Sequence, residues 1–321
     1  MEFRTINKKG PYNKKTIKWL ENVYSGSELY PDIDPFHRVY RFTDHVYSIY
    51  EECAAGGSDL WINLIEGETA ALLIDTGYGI GELPKLIRHL IGDKPLYVVN
   101  THEHYDHVLG NCRFQRVYCH MLAVPEITKN YMIETAHAPY MDQNGNGIYL
   151  NFTKTDVPEY RGYELVPCVE GDVFDLGGGN EIVVIHTPGH AAGGISLLDR
   201  KNRILFTGAM HSGNTVIAGN QDLYRKYNTV ESFLVALERL RDTCFDAFDR
   251  IFPAHEIPVL DKSYILDEIQ VCKDVIENHT LSENEVIEKN GCVQYCHMVG
   301  DAGIRYYKSS FLNSNTLNQN T

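Results

Sequence analysis

No stretch of this 321-residue chain approaches the roughly 20 consecutive apolar residues that a bilayer-spanning helix requires, so no membrane span is expected. The first residues, Met1 to Lys18, are polar and basic and lack the apolar centre of an export signal, which makes the cytoplasm the expected location. Basic side chains are scarce: 29 Lys and Arg face 43 Asp and Glu, for a formal net charge of −14. Nucleic-acid affinity rests on Lys and Arg neutralising phosphates, so no nucleic-acid partner is expected. No repeat at a solenoid period is visible. The eight cysteines are scattered, and without an export signal they are expected as reduced thiols.

What the chain does have is histidine in three strand-end settings. The stretch Thr101-His102-Glu103-His104-Tyr105-Asp106-His107 packs four metal-ligand candidates into six residues, directly after the apolar run Leu96 to Val99. Side chains two apart on an extended backbone point the same way, so His102 and His104 can hold one ion together. Asp106 and His107 follow, placed for a second ion. Imidazole and carboxylate both suit zinc, whose catalytic sites use three protein ligands and an open position. A second histidine loop, His186-Thr187-Pro188-Gly189-His190, follows the strand-like Ile182 to Ile185. A third, Pro253-Ala254-His255, follows Ile251-Phe252.

On these residues the chain resembles the metallo-β-lactamase fold superfamily of metal-dependent hydrolases. The His-x-His-x-Asp-His stretch, the Pro-Gly-His loop and the terminal histidine come in that family's order, and Leu72 to Gly77 fits ahead of them. The likeness covers roughly residues 41 to 260. It implies an α/β (α+β) four-layer αββα sandwich, with His102, His104 and His190 on a first metal and Asp106, His107 and His255 on a second. His186 is expected to make a supporting hydrogen bond. The implied cofactor is zinc, one or two ions, with iron and manganese as alternatives. One departure bears on the count. Many family members carry a metal-bridging aspartate after Leu-Phe-Thr-Gly, and this chain reads Leu205-Phe206-Thr207-Gly208-Ala209. His211, two residues on, is an additional ligand or a substrate contact.

Such a site implies hydrolysis of an ester, lactone, thioester or amide in a small molecule. A metal-bound hydroxide attacks the acyl carbon, and Asp106 orients it. The sequence keeps open an iron-dependent oxidoreductase of the same fold, a β-lactam-hydrolysing enzyme and a non-catalytic relative.

Hydrophobic periodicity predicts strands at Val46 to Tyr50, Leu60 to Ile65, Ala70 to Ile74, Asp172 to Leu176, Ile182 to Ile185, Ile195 to Leu198 and Ile204 to Phe206. Helices are predicted over Gly81 to Ile91, Val230 to Arg241 and Ser263 to Asn278. The division expected is an N-terminal extension over 1–40, a hydrolase domain over 41–280, and a strand segment with a polar tail over 281–321. Within the extension, Lys14 to Tyr24 has helical spacing and could cover the active-site mouth, support a homo-oligomer or pack on the surface. Asp142 to Gly147 begins like a calcium loop, but Thr153 stands where that loop needs a glutamate, so a turn is expected. Cys292 to His297 reads as a late strand and Gly177 to Gly179 as a hairpin turn. Tyr131, Tyr140, Tyr149 and Phe152 either wall a pocket or pack a core.

Overall fold

The computed structural model describes residues 28–55, 59–211, 215–219, 223–279, 285–289 and 292–312. The helix expected over Lys14 to Tyr24 lies outside them. Contacts divide the chain into two units: Met1–Cys168 with Val173–Ile182, and Val169–Asp172 with Val183–Thr321.

The first unit is built on an eight-stranded sheet in chain order. It comprises β1 (Glu28–Leu29), β2 (His37–Thr43), β3 (Val46–Glu51), β4 (Leu60–Glu66), β5 (Ala71–Ile74), β6 (Leu96–Val99), β7 (Arg116–His120) and β8 (Glu164–Cys168). Pairing is antiparallel from β1 to β5 and parallel from β5 to β8. Strands β3 and β5 are buried at every position, so they read as continuous apolar runs instead of alternating ones. The β5–β6 crossover is helix α1 (Leu83–Ile91). Pro84 sits in its first turn, Leu83, Leu86, Ile87 and Ile91 form its buried face, and Gly92 ends it at φ 63°.

A one-turn helix, α2 (Tyr105–Val108), follows β6, and α3 (Val124–Tyr131) follows β7. Neither β7, α3 nor β8 is expected from the sequence, which reads as irregular there. These elements are short, and their apolar positions are too few to set a period. Strands β9 (Val173–Asp175) and β10 (Glu181–His186) are joined through Gly177 to Gly179, where Leu176 N–H donates to the Asn180 carbonyl at 2.9 Å. In the 142–147 turn, Asp142 Oδ1 accepts from the backbone of Asn144 and Asn146 at 2.8 and 2.9 Å, as a turn and not a calcium loop predicts.

Beneath β2 and β3 lies a charged cluster that the sequence does not announce. His37 Nδ1 meets Asp34 Oδ2 at 2.8 Å, and His37 Nε2 lies 3.6 Å from Glu51 Oε1, with all three side chains at most 1 % exposed. Burial opposes charge on His37, but the two carboxylates outweigh it and hold the ring at about 10. The same pairing holds Asp34 below its ordinary value against the upward pull of burial. Asp34 also accepts from the Phe36 and Glu82 amides, so it ties β2 to the start of α1.

In the second unit, β11 (Ile195–Asp199) pairs antiparallel with β12 (Ile204–Gly208), which runs parallel to β14 (Arg250–Pro253). The short β15 (Leu260–Asp261) adds antiparallel to β14. A separate four-stranded sheet has the order β13 (Thr215–Ile217), β18 (Ala302–Tyr306), β17 (Cys292–Val299), β16 (Glu285–Lys289). The expected late strand at Cys292 to His297 is thus β17. Helix α4 (Val230–Cys244) starts at Thr229, whose hydroxyl accepts from Ser232 N–H at 3.2 Å. Its Phe233, Leu237 and Leu240 join Ile265, Ile269 and Cys272 of α5 (Tyr264–Glu277) in one core.

Among the described side chains, Cys53, Cys112, Cys119, Cys168, Cys244, Cys272 and Cys296 are buried and form no disulfide. No described helix is long and apolar enough to cross a membrane.

Candidate metal centre

In the first unit, β6 ends at Val99, the chain bends over Thr101, His102 and Glu103, and His104 is extended at φ −71° and ψ 151° before α2 begins. His102 Nε2 and His104 Nδ1 face each other at 3.0 Å. The His102 and His107 rings lie 4.0 Å apart between centroids. Asp106 Oδ2 comes within 3.7 Å of His107 Nε2. Four of the expected ligands thus form one cluster. His102 and His107 are buried, while Asp106 is 14 % exposed and His104 half-buried.

The residue that organises the cluster is Asp75, just past β5. Its Oδ1 accepts from Thr101 N–H at 2.7 Å, and its Oδ2 accepts from Thr101 Oγ1 at 2.8 Å and lies 2.7 Å from His107 Nδ1. A carboxylate at Nδ1 selects the tautomer that presents its lone pair at Nε2, the usual support of a metal-ligating histidine. Asp75 holds φ at 67°, a left-handed conformation that asparagine and aspartate tolerate better than bulky residues. The sequence places this residue in the Leu72 to Gly77 segment but assigns it no role. Its neighbour Thr76 donates to Asn111 Oδ1 at 2.8 Å, and Asn100 Nδ2 donates to the His107 carbonyl at 2.9 Å, so the backbone of His107 is fixed as well.

Two variants test this scaffold. Replacing Asp75 with Asn should lower metal affinity about 10- to 100-fold with the chain still folded, read by competition with a chromogenic chelator. At Gly110 a Cβ would lie 2.1 Å from the Thr76 carbonyl oxygen. Gly110→Ala should accordingly cost about 1–3 kcal/mol, read from the denaturant midpoint.

Burial opposes a proton on His107, yet the Asp75 and Asp106 carboxylates outweigh it and raise the ring above its ordinary value. Around the cluster stand tyrosines. Tyr78, Tyr105 and Tyr140 make mutual ring contacts at 5.7–6.0 Å. Burial, then the Asp106 charge, pushes Tyr78 and Tyr105 upward, so both stay protonated at neutral pH. Phe152 is 1 % exposed and belongs to the core with Leu150, whereas Tyr131 and Tyr140 line a cavity.

The second unit carries His190, His255, His186 and His211. His190 Nδ1 donates to the Val216 carbonyl at 2.6 Å, and Asn228 Nδ2 holds the His190 carbonyl at 2.6 Å. The preceding Gly189 has φ 139°, and a Cβ there would lie 2.5 Å from Phe233 Cβ, which explains the Pro-Gly-His loop locally. His255 follows β14 at a point where Ala254 N–H donates to the Gly208 carbonyl at 2.8 Å. His186 Nε2 donates to the Ala192 carbonyl at 2.9 Å, a supporting bond as expected. His211 is fully buried, its Nδ1 hydrogen-bonded to Glu268 of α5, a partner that sequence reasoning missed. Ala209 is buried at 4 % exposure.

Comparison with known proteins puts this arrangement in context. The family description "Metallo-beta-lactamase superfamily" matches residues 57–255. The chain is 29 % identical over 229 residues to "Acyl-coenzyme A thioesterase MBLAC2" of Gallus gallus, covering 65 % of this chain and 77 % of that protein. It is 27 % identical over 232 residues to the Homo sapiens protein of the same name, covering 66 % and 78 %. Among solved structures it resembles a metallo-beta-lactamase from Pontibacter korlensis, with TM-score 0.54, 18 % identity and coverage of 74 % of this chain and 99 % of that one. It also resembles the DIM-1 metallo-beta-lactamase, with TM-score 0.51, 13 % identity and coverage of 75 % and 99 %. These bear out the expected α/β sandwich class, and the relatives' names agree with the expectation of an enzyme of the hydrolase type. With well over half its length matched, the chain belongs to the metallo-beta-lactamase superfamily.

Proposed function

We propose that the chain is a metal-dependent hydrolase, with zinc as its ion, that cleaves the thioester of an acyl-coenzyme A or a similar small acyl thioester. The observation that carries the reading is the first-unit cluster of His102, His104, Asp106 and His107 with Asp75 behind it; His190 and His255 are the residues proposed to complete two donor sets, His102, His104 and His190 in one and Asp106, His107 and His255 in the other. His211 stands outside both sets. Three imidazoles, or two imidazoles and a carboxylate, make a donor chemistry that fits zinc. Asp75 at His107 Nδ1 and the Val216 carbonyl at His190 Nδ1 favour the tautomer such ligands need.

A divalent ion held there supplies Lewis acidity and brings the pKa of a bound water to about 7. Ion binding also replaces the proton that Asp75 and Asp106 favour on His107, so affinity should fall with falling pH. Asp106 is the residue that orients the attacking water, having one carboxylate oxygen to spare when the other ligates. The two proposed donor sets would hold two ions, and Ala209, where many family members carry a bridging aspartate, would contribute no side-chain ligand between them. The thioester is preferred over ester, lactone or amide because the curated relatives at 27–29 % identity are named acyl-coenzyme A thioesterases. The β-lactamases, at 18 % identity or less, speak for the fold alone.

The reading takes 41–280 as the hydrolase domain and 1–40 as an extension for homo-oligomerisation, and it keeps the cytoplasmic expectation. The test is a substrate panel of acyl-CoA thioesters, aryl esters, lactones and a β-lactam, assayed with zinc-reconstituted protein. Thioester turnover should lead the panel. A lactone or β-lactam turned over far faster than every thioester would sink the assignment.

A further inference from the structure

Beside the donor cluster the first unit has an open cavity of about 620 Å³. Its walls include Tyr105, Tyr131, Ile133, Ala136, Pro139 and Tyr140. The Asp106 charge acts on Tyr105, Tyr131 and Tyr140, so these wall residues lie near the cluster. The volume falls within the range of small-molecule sites.

The wall is held in shape by bonds that have nothing to do with the metal ligands. His137 Nε2 donates to the Tyr78 carbonyl at 2.6 Å, and Ile148 N–H donates to the Tyr140 carbonyl at 3.0 Å. Burial keeps His137 below the ordinary imidazole value and therefore neutral at pH 7. Ile133 is 47 % exposed on this wall, an apolar side chain left in contact with water.

Two features speak about charge. Among the described residues, no Lys or Arg lines the cavity. Asn130 and Tyr131, at the C-terminal end of α3, contribute to its wall, and a helix C-terminus carries the negative end of the helix dipole. Phosphate recognition calls for Lys, Arg or a helix N-terminus, and the cavity has the opposite polarity.

From this we infer that the cavity receives the acyl portion of the substrate, that its occupant is uncharged, and that Ile133 and Tyr140 set this acyl specificity. The inference rests on the thioesterase reading for the identity of the bond cleaved. The phosphate-bearing leaving group binds elsewhere. An acyl group ending in a second carboxylate is rejected, because at Asn130 and Tyr131 it would meet the C-terminal end of α3 with no Lys or Arg among the lining residues.

The experiment compares hexanoyl and adipoyl thioesters, each on coenzyme A and on the phosphate-free pantetheine arm. The zinc-reconstituted wild type should favour hexanoyl over adipoyl by about tenfold or more in kcat/KM, with the same ratio on either leaving group. Ile133→Arg, at an exposed position where folding is not at stake, should narrow that ratio about tenfold by supplying the missing cation. Tyr140→Ala should raise KM for hexanoyl thioesters more than it does for acetyl thioesters. Equal efficiency on hexanoyl and adipoyl would overturn the inference. So would an Ile133→Arg effect that tracks the phosphates of the leaving group and not the acyl carboxylate.

If no thioester is turned over at all, the function reading fails and the cavity is judged by binding alone. Tyrosine chemical shifts would be followed on titration with hexanamide and with the monoamide of adipic acid. Selective binding of hexanamide, lost in Tyr140→Ala, upholds the cavity assignment; binding of neither, or of both equally, overturns it.

Discussion

His104→Ala should abolish zinc binding and reduce kcat/KM by more than about 1,000-fold, because the ion loses one of three imidazoles and with it the means of generating an attacking group near pH 7. His104 is half-buried, and its Nδ1 lies 3.0 Å from His102 Nε2. The metal-free variant should therefore melt within a degree or two of metal-free wild type. That pairing of outcomes matters. Loss of activity with loss of fold would say nothing about the ion, whereas loss of activity with an intact fold and no bound zinc assigns the role. A variant that still binds zinc stoichiometrically and turns over normally would remove His104 from the site.

The largest expected effect on stability lies away from that cluster. Asp34→Asn should destabilise the fold by roughly 3–5 kcal/mol, since it leaves a buried imidazolium facing only Glu51 across 3.6 Å. The cost should depend on pH in a defined direction. His37 is raised from 6.5 to about 10 in the folded chain, so the stability it contributes is complete below pH 6.5 and is lost as pH rises toward 10. Asp34 is lowered, so its contribution is present above its ordinary range near 4 and lost as pH falls below it. The gap in denaturation free energy between wild type and Asp34→Asn should therefore be widest near pH 5–6 and shrink steadily toward pH 10. A gap independent of pH would show that the pair is not ionised.

The sequence makes the candidate ligands legible because a metal site would concentrate its chemistry: six donors fall in three short strand-end stretches, each after an apolar run. The strands from β3 to β5, α1, α4 and α5 are legible for the related reason that long buried faces impose a period. What the sequence hides is what depends on long-range pairing. Asp75 is 32 residues from His107, and Glu268 is 57 residues from His211, so neither partnership leaves a local signal. Asp34, His37 and Glu51 look like ordinary surface-turn residues until the strands stack. The β7–α3–β8 stretch is too short and too polar to display a period, and its cavity is set by tertiary contacts such as His137 on the Tyr78 carbonyl.

The most direct measurement of the central claim uses metal-free protein titrated with zinc in a calorimeter, with thioester hydrolysis assayed on samples drawn at each step. The account predicts binding of one to two zinc ions per chain and hydrolysis that rises with the first equivalents and is removed again by chelator. Absence of binding at saturating zinc, or hydrolysis that is the same with and without the ion, would contradict it.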